Sequence, residues 1–408
     1  MNKRRPMKII LFNHPTFSES MSISKYTHMI ARGMRAKGHQ VQIWTAPPVL
    51  TKVKWPGLLK KYIGYIDQFL FFPILVRLKI GRLDKETLFV FSDQALGPWV
   101  PLVSDRPHVI HCHDFMAQKS AKGGFEENRL KWSGKIYQQF IRRGFNRGKN
   151  FICISENTRQ DLMSFLVSPP DICNVIYNGL NQDFKTADPD QARFKLSAAL
   201  KLPLQNGFIL HVGGNHFYKN RGGIVKIYAR WRTQTKNKLP LLFVGAGPDH
   251  KMEILLKQCE FSQDIFFAMQ VGDDLLRTCY QGASVLLFPS LEEGFGWPIA
   301  EAMASGCPVV TTQKAPMTEV GGDAASYIPP YDKTAETAWL KECASILHKV
   351  LSLPVEERAS MVANGLKNAR RFNNEAALEA IANSYQKVLR QWELTTVSPH
   401  EKEVFTAK

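Results

Sequence analysis

Two carboxylates with seven residues between them, Glu293 and Glu301, frame a turn in the stretch Phe288–Val310, FPSLEEGFGWPIAEAMASGCPVV. The apolar run Ala283–Phe288 predicts a buried strand, and Gly294 and Gly296 predict the turn. Pro298 fits the first position of a helix running to Ser305, because its missing N–H would have no helical partner there. Gly306 stops that helix and Val309 opens the next strand. A glycine turn leading into a helix N-terminus offers free N–H groups and a partial positive charge to an anion. Acids beside such a site suit hydroxyls better than phosphates, as a ribose or hexose would present. Upstream, His211-Val212-Gly213-Gly214-Asn215 closes a strand and Tyr218-Lys219-Asn220-Arg221 follows. A strand, a glycine turn and then a cation can cradle a diphosphate. His111-Cys112-His113-Asp114 ends a strand in the first half. Such a cluster can hold a metal, but strand alternation puts the histidines on one face and Asp114 on the other. No metal is expected there, and Asp273-Asp274 reads as a helix start rather than a metal motif.

Glu293 and Glu301, within EEGFGWPIAEAMASGCPVV, resemble the E-x7-E signature of retaining glycosyltransferases of family 4. The resemblance extends, through weaker segments, over nearly the whole chain. It implies an α/β protein of GT-B fold: two Rossmann-like parallel-sheet domains facing a central cleft, with the C-terminal helix crossing back to the first domain. It implies that Lys219 meets the donor diphosphate, with Gly213, Gly214, Gly294, Phe295, Gly296 and Trp297 around the donor. Glu301 would hold the ribose and Glu293 the sugar hydroxyls. His113 would stand beside the transferred sugar and acceptor, with His111 structural. Ser155 and Asn178 would lie on the acceptor side, although Ser155 is first a good N-cap and Asn178-Gly179 first a turn; Ser18, with Ser20 and Ser22 as alternatives, could offer a hydroxyl there. Many members carry an arginine where this chain has Gly214, and Arg221 is the cation available to replace it. Members usually have a glycine-rich loop after the first strand; Asn13–Lys25 has no glycine.

The elements that must position these residues follow a βαβ rhythm, that of parallel sheets. Strands are expected at Lys8–Phe12, Gln40–Trp44, Leu88–Phe91, Val109–Cys112, Phe151–Ile154 and Asn174–Tyr177. Asp183–Leu204, with Pro189 and Pro203, reads as the connection between domains 1–190 and 204–375. The rhythm restarts at Phe208–Val212, Leu241–Val244, Ile265–Phe267, Val285–Phe288 and Val309–Thr311. Helices close the chain, the last at about 376–394 returning to the first domain, before a polar tail at 395–408.

The chain of 408 residues has room for two such domains. Its seven cysteines are scattered without a C-x-x-C pair, which favours reduced thiols and a cytoplasmic location. Residues 1–200 carry 30 Lys and Arg against 15 Asp and Glu, and the remainder 23 against 21. A basic first half suits an anionic or lipid-linked acceptor; no nucleic-acid-binding pattern is present. Residues 52–82 combine basic residues with Trp55, Tyr62, Tyr65 and an apolar run. They suit peripheral contact with the inner face of the cytoplasmic membrane, or packing within their own domain or on a partner. Pro73 argues against one continuous helix there.

The expected activity is transfer of a hexose from a nucleotide diphosphate sugar, UDP- or GDP-linked, to a hydroxyl acceptor with retention, in cell-surface polysaccharide or glycolipid synthesis. His113, Lys219 and Glu293 are its catalytic candidates. No cofactor and no metal are expected. The alternative is a non-catalytic GT-B protein that binds a glycan, membrane or protein partner. A Rossmann oxidoreductase is disfavoured because G-x-G-x-x-G follows neither domain's first strand.

Overall fold

The computed structural model describes residues 5–17, 21–53, 55–180 and 183–396. It divides into one unit that ends at Tyr177 and is rejoined by the chain from Asn374, and a second unit, Asn178–Asn373. The first unit holds β1 (Lys8–Phe12), β2 (Gln40–Trp44), β3 (Leu88–Phe91), β4 (His108–Cys112), β5 (Asn150–Cys153) and β6 (Ile172–Val175). They form one parallel sheet in the order β2-β1-β3-β4-β5-β6. The second unit holds β7 (Ile209–Gly213), β8 (Leu241–Gly245), β9 (Ile265–Met269), β10 (Val285–Phe288), β11 (Val309–Thr312) and β12 (Ser326–Ile328). Their order is β12-β11-β10-β7-β8-β9, again parallel.

The strands are apolar on both faces because helices cover both faces of each sheet. In β1, Ile9 and Leu11 enter one core cluster while Ile10 and Phe12 enter the other. The strand orders set a switch point in each sheet, where successive crossovers leave in opposite directions. It falls between β1 and β3 in the first unit and between β7 and β10 in the second. Open α/β sheets take ligands outside the carboxyl ends of the strands at such points. The last helix, Asn374–Thr396, returns to the first unit, where Leu378, Ile381, Tyr385 and Val388 share a core with Ile9 and Leu11.

Two local expectations change. The segment read as an interdomain connection contains a helix, Pro189–Leu200. Asp188 caps it through the N–H groups of Asp190 and Gln191, and Pro189 opens it; a proline at a helix start is a helix signal, not a linker signal. Pro73 does not break its segment either. Helices Gly57–Ile66 and Phe72–Ile80 run on through a π-helical turn, Asp67–Phe71. The wider turn ends just before Pro73 and relieves the clash a proline makes with the preceding turn. β12, three residues long, carries no sequence pattern of its own.

The helix Trp132–Phe145 lies backbone to backbone on the 3₁₀ segment Gln94–Leu102. A Cβ on Gly144 would fall on the carbonyl oxygen of Gly97. Gly144→Ala should therefore destabilise the protein by about 1–3 kcal/mol through overpacking. Urea denaturation checks this; an unchanged midpoint would show that the contact can relax.

Candidate active site

In the second unit the sequence places Lys219 just after β7 and Glu293 just after β10, which flank the switch point. The structure brings them together: Lys219 Nζ donates to Glu293 Oε1 at 2.7 Å. Both side chains are largely buried, 13% and 8% exposed. The ammonium also lies 4.8 Å from the centre of the Phe288 ring. A Cβ on Gly213 would come within 3.4 Å of the Lys219 stem, so this glycine leaves room for the lysine at the strand end.

Two loops hold this geometry. Lys219 ends a 3₁₀ turn, Phe217–Lys219, and the Leu291 N–H donates to the Tyr218 carbonyl at 2.7 Å. Asn220 adopts a left-handed conformation, caps the following helix through Gly223 N–H and donates to the Pro289 carbonyl at 3.1 Å. Below them, Thr311 and Thr312 on β11 donate to the carbonyls of Phe288 and Ser290. The neighbouring acid, Glu292, is buried and takes Lys314 at 2.5 Å, so the two adjacent glutamates have different lysines. The turn into the helix Trp297–Ala304 is made at Gly296, whose φ of 101° suits glycine. Pro298 takes the second helical position rather than the first. Phe295 is buried between the rings of Trp297 and Phe372, at 5.3 and 5.5 Å.

Glu301 sits in that helix and accepts from the Tyr280 hydroxyl at 2.6 Å. Burial pushes its pKa up to about 7, against the lowering effects of the Tyr280 hydrogen bond and the Lys219 charge. A carboxyl held near neutrality beside a fixed cation is a mark of functional sites. Tyr280 lies on the helix Asp273–Gly282, with no motif around it, and sequence reasoning missed it.

Arg221 is placed differently from what its position after Lys219 suggests. Its guanidinium lies 4.8 Å from the Phe243 ring and donates to the carbonyls of Ala246 and Gly247 and to Asn215. It is nearly fully buried and ties the turn after β7 to the turn after β8. Those turns approach so closely that a Cβ on Gly245, at φ 131°, would meet the Gly213 carbonyl at 2.5 Å. Gly214 lies in the same turn, beside His216.

In the first unit, His14 follows β1, Asp93 follows β3 and His113 follows β4, so all three stand at the carboxyl ends of strands around the β1/β3 switch point. His14 Nε2 lies 2.8 Å from Asp93 Oδ2. Burial would raise the Asp93 pKa, but the hydrogen bond and charge of His14, with His113 and the Ala95 N–H, hold it below the usual carboxylate value. His113 Nε2 donates to the Ser92 carbonyl at 2.8 Å, and burial keeps the imidazole pKa below its ordinary value. Its other nitrogen, Nδ1, therefore carries the lone pair. His111 is fully buried between the hydroxyls of Tyr26 and Tyr385, at 3.0 and 2.8 Å. Among the described residues no cluster of metal-ligating side chains forms. Ser155 caps the helix Glu156–Phe165 by accepting from Thr158 N–H at 3.0 Å. Asn178 is buried at the start of the second unit. Ser18 lies outside the described residues. The His14–Asp93 pair was not legible: the partners are far apart in the chain, and only the sheet order brings β1 beside β3.

Residues 23–184 match the family model described as Glycosyltransferase Family 4, and residues 192–367 the model described as Glycosyl transferases group 1. The O-antigen chain mannosyltransferase B of Escherichia coli is 26% identical over 256 residues, covering 62% of this chain and 64% of that protein. The chain thus spans a little under two thirds of that relative's length. Among solved structures, sucrose-phosphate synthase from Thermosynechococcus elongatus superposes with a TM-score of 0.70 at 18% identity, covering 94% of this chain and 100% of that one. Anabaena HepE in complex with UDP and glucose gives 0.67 at 17% identity, covering 93% and 100%. At these identities the structural likeness speaks for the fold. With its E-x7-E stretch, its two doubly wound parallel sheets and a family model matched in each half, the chain belongs to the group 1 glycosyltransferases of family 4 type, with the GT-B fold.

Proposed function

We propose that the protein transfers a hexose from a nucleotide diphosphate sugar to a hydroxyl acceptor, retaining the anomeric configuration. The observation that carries this reading is the Lys219–Glu293 pair at the β7/β10 switch point, with Glu301 poised near neutrality on the helix that follows. The names of the compared proteins support it: one relative is a mannosyltransferase, and one structural neighbour holds UDP and glucose. The donor is a UDP- or GDP-sugar, and the product belongs to cell-surface polysaccharide or glycolipid synthesis. The basic first half favours a lipid-linked or otherwise anionic acceptor.

The chemistry follows from charge. The bond from the anomeric carbon to the diphosphate breaks and negative charge grows on the leaving phosphate. Lys219 and the N–H groups at the start of the helix Trp297–Ala304 stabilise that charge without a metal. Glu301 accepts from ribose hydroxyls. Glu293 orients the sugar hydroxyls, and Lys219 turns from it toward the diphosphate as the donor binds. The acceptor oxygen attacks the same face of the sugar, and its proton passes to the leaving phosphate oxygen. Arg221, tied to loop carbonyls, supports the turn rather than the phosphates. Residues of the first unit, His113 with His14 and Asp93, serve the acceptor.

The test is a thermal-shift and donor-hydrolysis panel of UDP-, GDP- and ADP-sugars, with and without EDTA. One donor should stabilise the protein and be hydrolysed in EDTA, and Glu301→Ala should weaken both effects. Loss of turnover in EDTA, restored by a divalent ion, would overturn the metal-free mechanism. No shift with any donor would favour a non-catalytic binding protein, a reading to which the glycine-free stretch Asn13–Lys25 lends support.

A further inference from the structure

Surface helices of globular domains put their apolar stripe inward and polar residues outward. The run Gly57–Ile80 departs from this. Phe72 and Val76 enter the core, yet Leu59, Tyr62, Ile66, Leu70, Ile74 and Leu78 are all exposed, at helical spacings of three and four. Leu78 is 67% exposed. A second helix, Trp132–Phe145, exposes Trp132, Ile136 and Phe140 at a spacing of four, with Trp132 78% exposed. The two elements touch: the rings of Tyr65 and Tyr137 stack at 5.3 Å, and Phe69 meets Phe140 at 5.3 Å. Their exposed stripes therefore belong to one surface. That surface is far more apolar than the scattered single residues a monomer ordinarily shows.

Its charge is one-sided. The run Gly57–Ile80 holds four Lys and Arg, and the helix Trp132–Phe145 holds three more. The sole carboxylate in these two stretches, Asp67, points inward. It accepts from the N–H groups of Val49, Leu50 and Thr51 and from the Thr51 hydroxyl. Exposed Trp and Tyr among Lys and Arg, around an apolar stripe, match the headgroup region of an anionic bilayer. A second copy of the chain fits less well, since it would bring the same positive field against itself. No helix among the described residues is long and apolar enough to cross a membrane, which agrees with elements that lie on its surface.

We infer that the run Gly57–Ile80 and the helix Trp132–Phe145 together form a docking face for an anionic lipid surface. Trp132, Ile136 and Phe140 contribute alongside the basic aromatic segment legible in the sequence. The proposal stands on this face alone and is independent of the transfer reaction.

Flotation of the full chain with vesicles of phosphatidylcholine, alone or mixed with phosphatidylglycerol, tests it. The protein should float with the mixed vesicles, stay behind with the neutral ones, and bind less as salt rises. Trp132→Ser with Ile136→Ser, and separately Lys60→Glu with Lys61→Glu, should each lower partitioning about tenfold or more. The melting temperature reports whether each variant is folded. Leu78→Ser, on the other helix, supplies an independent loss should the Trp132 variant melt early. Three results would overturn the proposal: no flotation of the wild type at low salt, equal flotation of wild type and folded variants, or a lipid-free dimer that the Trp132 variant abolishes. The last would assign the face to a second copy.

Discussion

Lys219→Ala should lower kcat by about 10²- to 10³-fold, the range seen when one preorganised charge donor is removed from a developing anion. The same substitution leaves Glu293 buried without its cation. Breaking a largely buried pair from one side costs about 3–5 kcal/mol, so a loss of activity alone would be ambiguous. Lys219→Met with Glu293→Gln separates the two effects. The pair becomes neutral and the residual desolvation penalty largely disappears. The melting temperature should recover most of the way to wild type while kcat stays at least about 10²-fold down. A quenched-flow or steady-state comparison of the three proteins, with melts beside it, reads both quantities. Turnover of Lys219→Ala within twofold of wild type would remove Lys219 from the mechanism. Recovery of turnover in the double variant would reduce the pair to a structural role.

Why one half of this site was legible and the other was not follows from where its signals lie. Glu293, Glu301, the glycine turn and the proline-led helix stand within one short stretch, so their spacing announces a strand, a turn and a helix start together. Lys219 is legible because it follows a strand and a glycine turn within a few residues. The parallel sheets are legible for a similar local reason: strands apolar on both faces, such as Val285–Phe288, can be buried only under helices on each side. Tyr280 and Asp93 had no such neighbourhood. Tyr280 reaches Glu301 through packing of the helices that precede and follow β10, and Asp93 reaches His14 because sheet order sets β3 beside β1; neither is written in a local pattern. Arg221 is a different case. It reads as the cation available to replace the arginine missing at Gly214, but as the first residue of the helix Arg221–Thr235 it is directed to the turn after β8. The continuous run Gly57–Ile80 was misjudged because a proline was weighed without allowing for a π turn ahead of it.

Donor affinity should fall on acidification through about pH 7, because that is where burial has moved the Glu301 carboxyl. The ionised form accepts hydrogen bonds from ribose hydroxyls with the strength of a charged acceptor, and the protonated form gives that up. If the ionised form alone binds well, the dissociation constant should rise about tenfold per pH unit below the midpoint and level off above it. The sign for the free protein is opposite. Its folded-state pKa lies above the unfolded value of about 4.3. The folded chain therefore holds a proton that the unfolded chain has lost, and this residue's contribution to stability declines as pH rises from there to about 7. Acid thus favours the empty fold at Glu301 while alkali favours the donor complex, and donor binding near neutral pH should release a proton. Titration calorimetry in buffers of different ionisation heat measures that release. A nucleotide diphosphate sugar is the right ligand, since its phosphate esters do not titrate near neutrality. Tyr280→Phe removes a hydrogen bond that lowers the Glu301 pKa, so it should move the midpoint to higher pH. Lys219→Ala should move it the same way, through the lost charge. Glu301→Gln should flatten the profile. A Glu301→Gln profile that still followed the wild type would show that another group titrates with donor binding, and Glu301 would lose its assignment to the ribose.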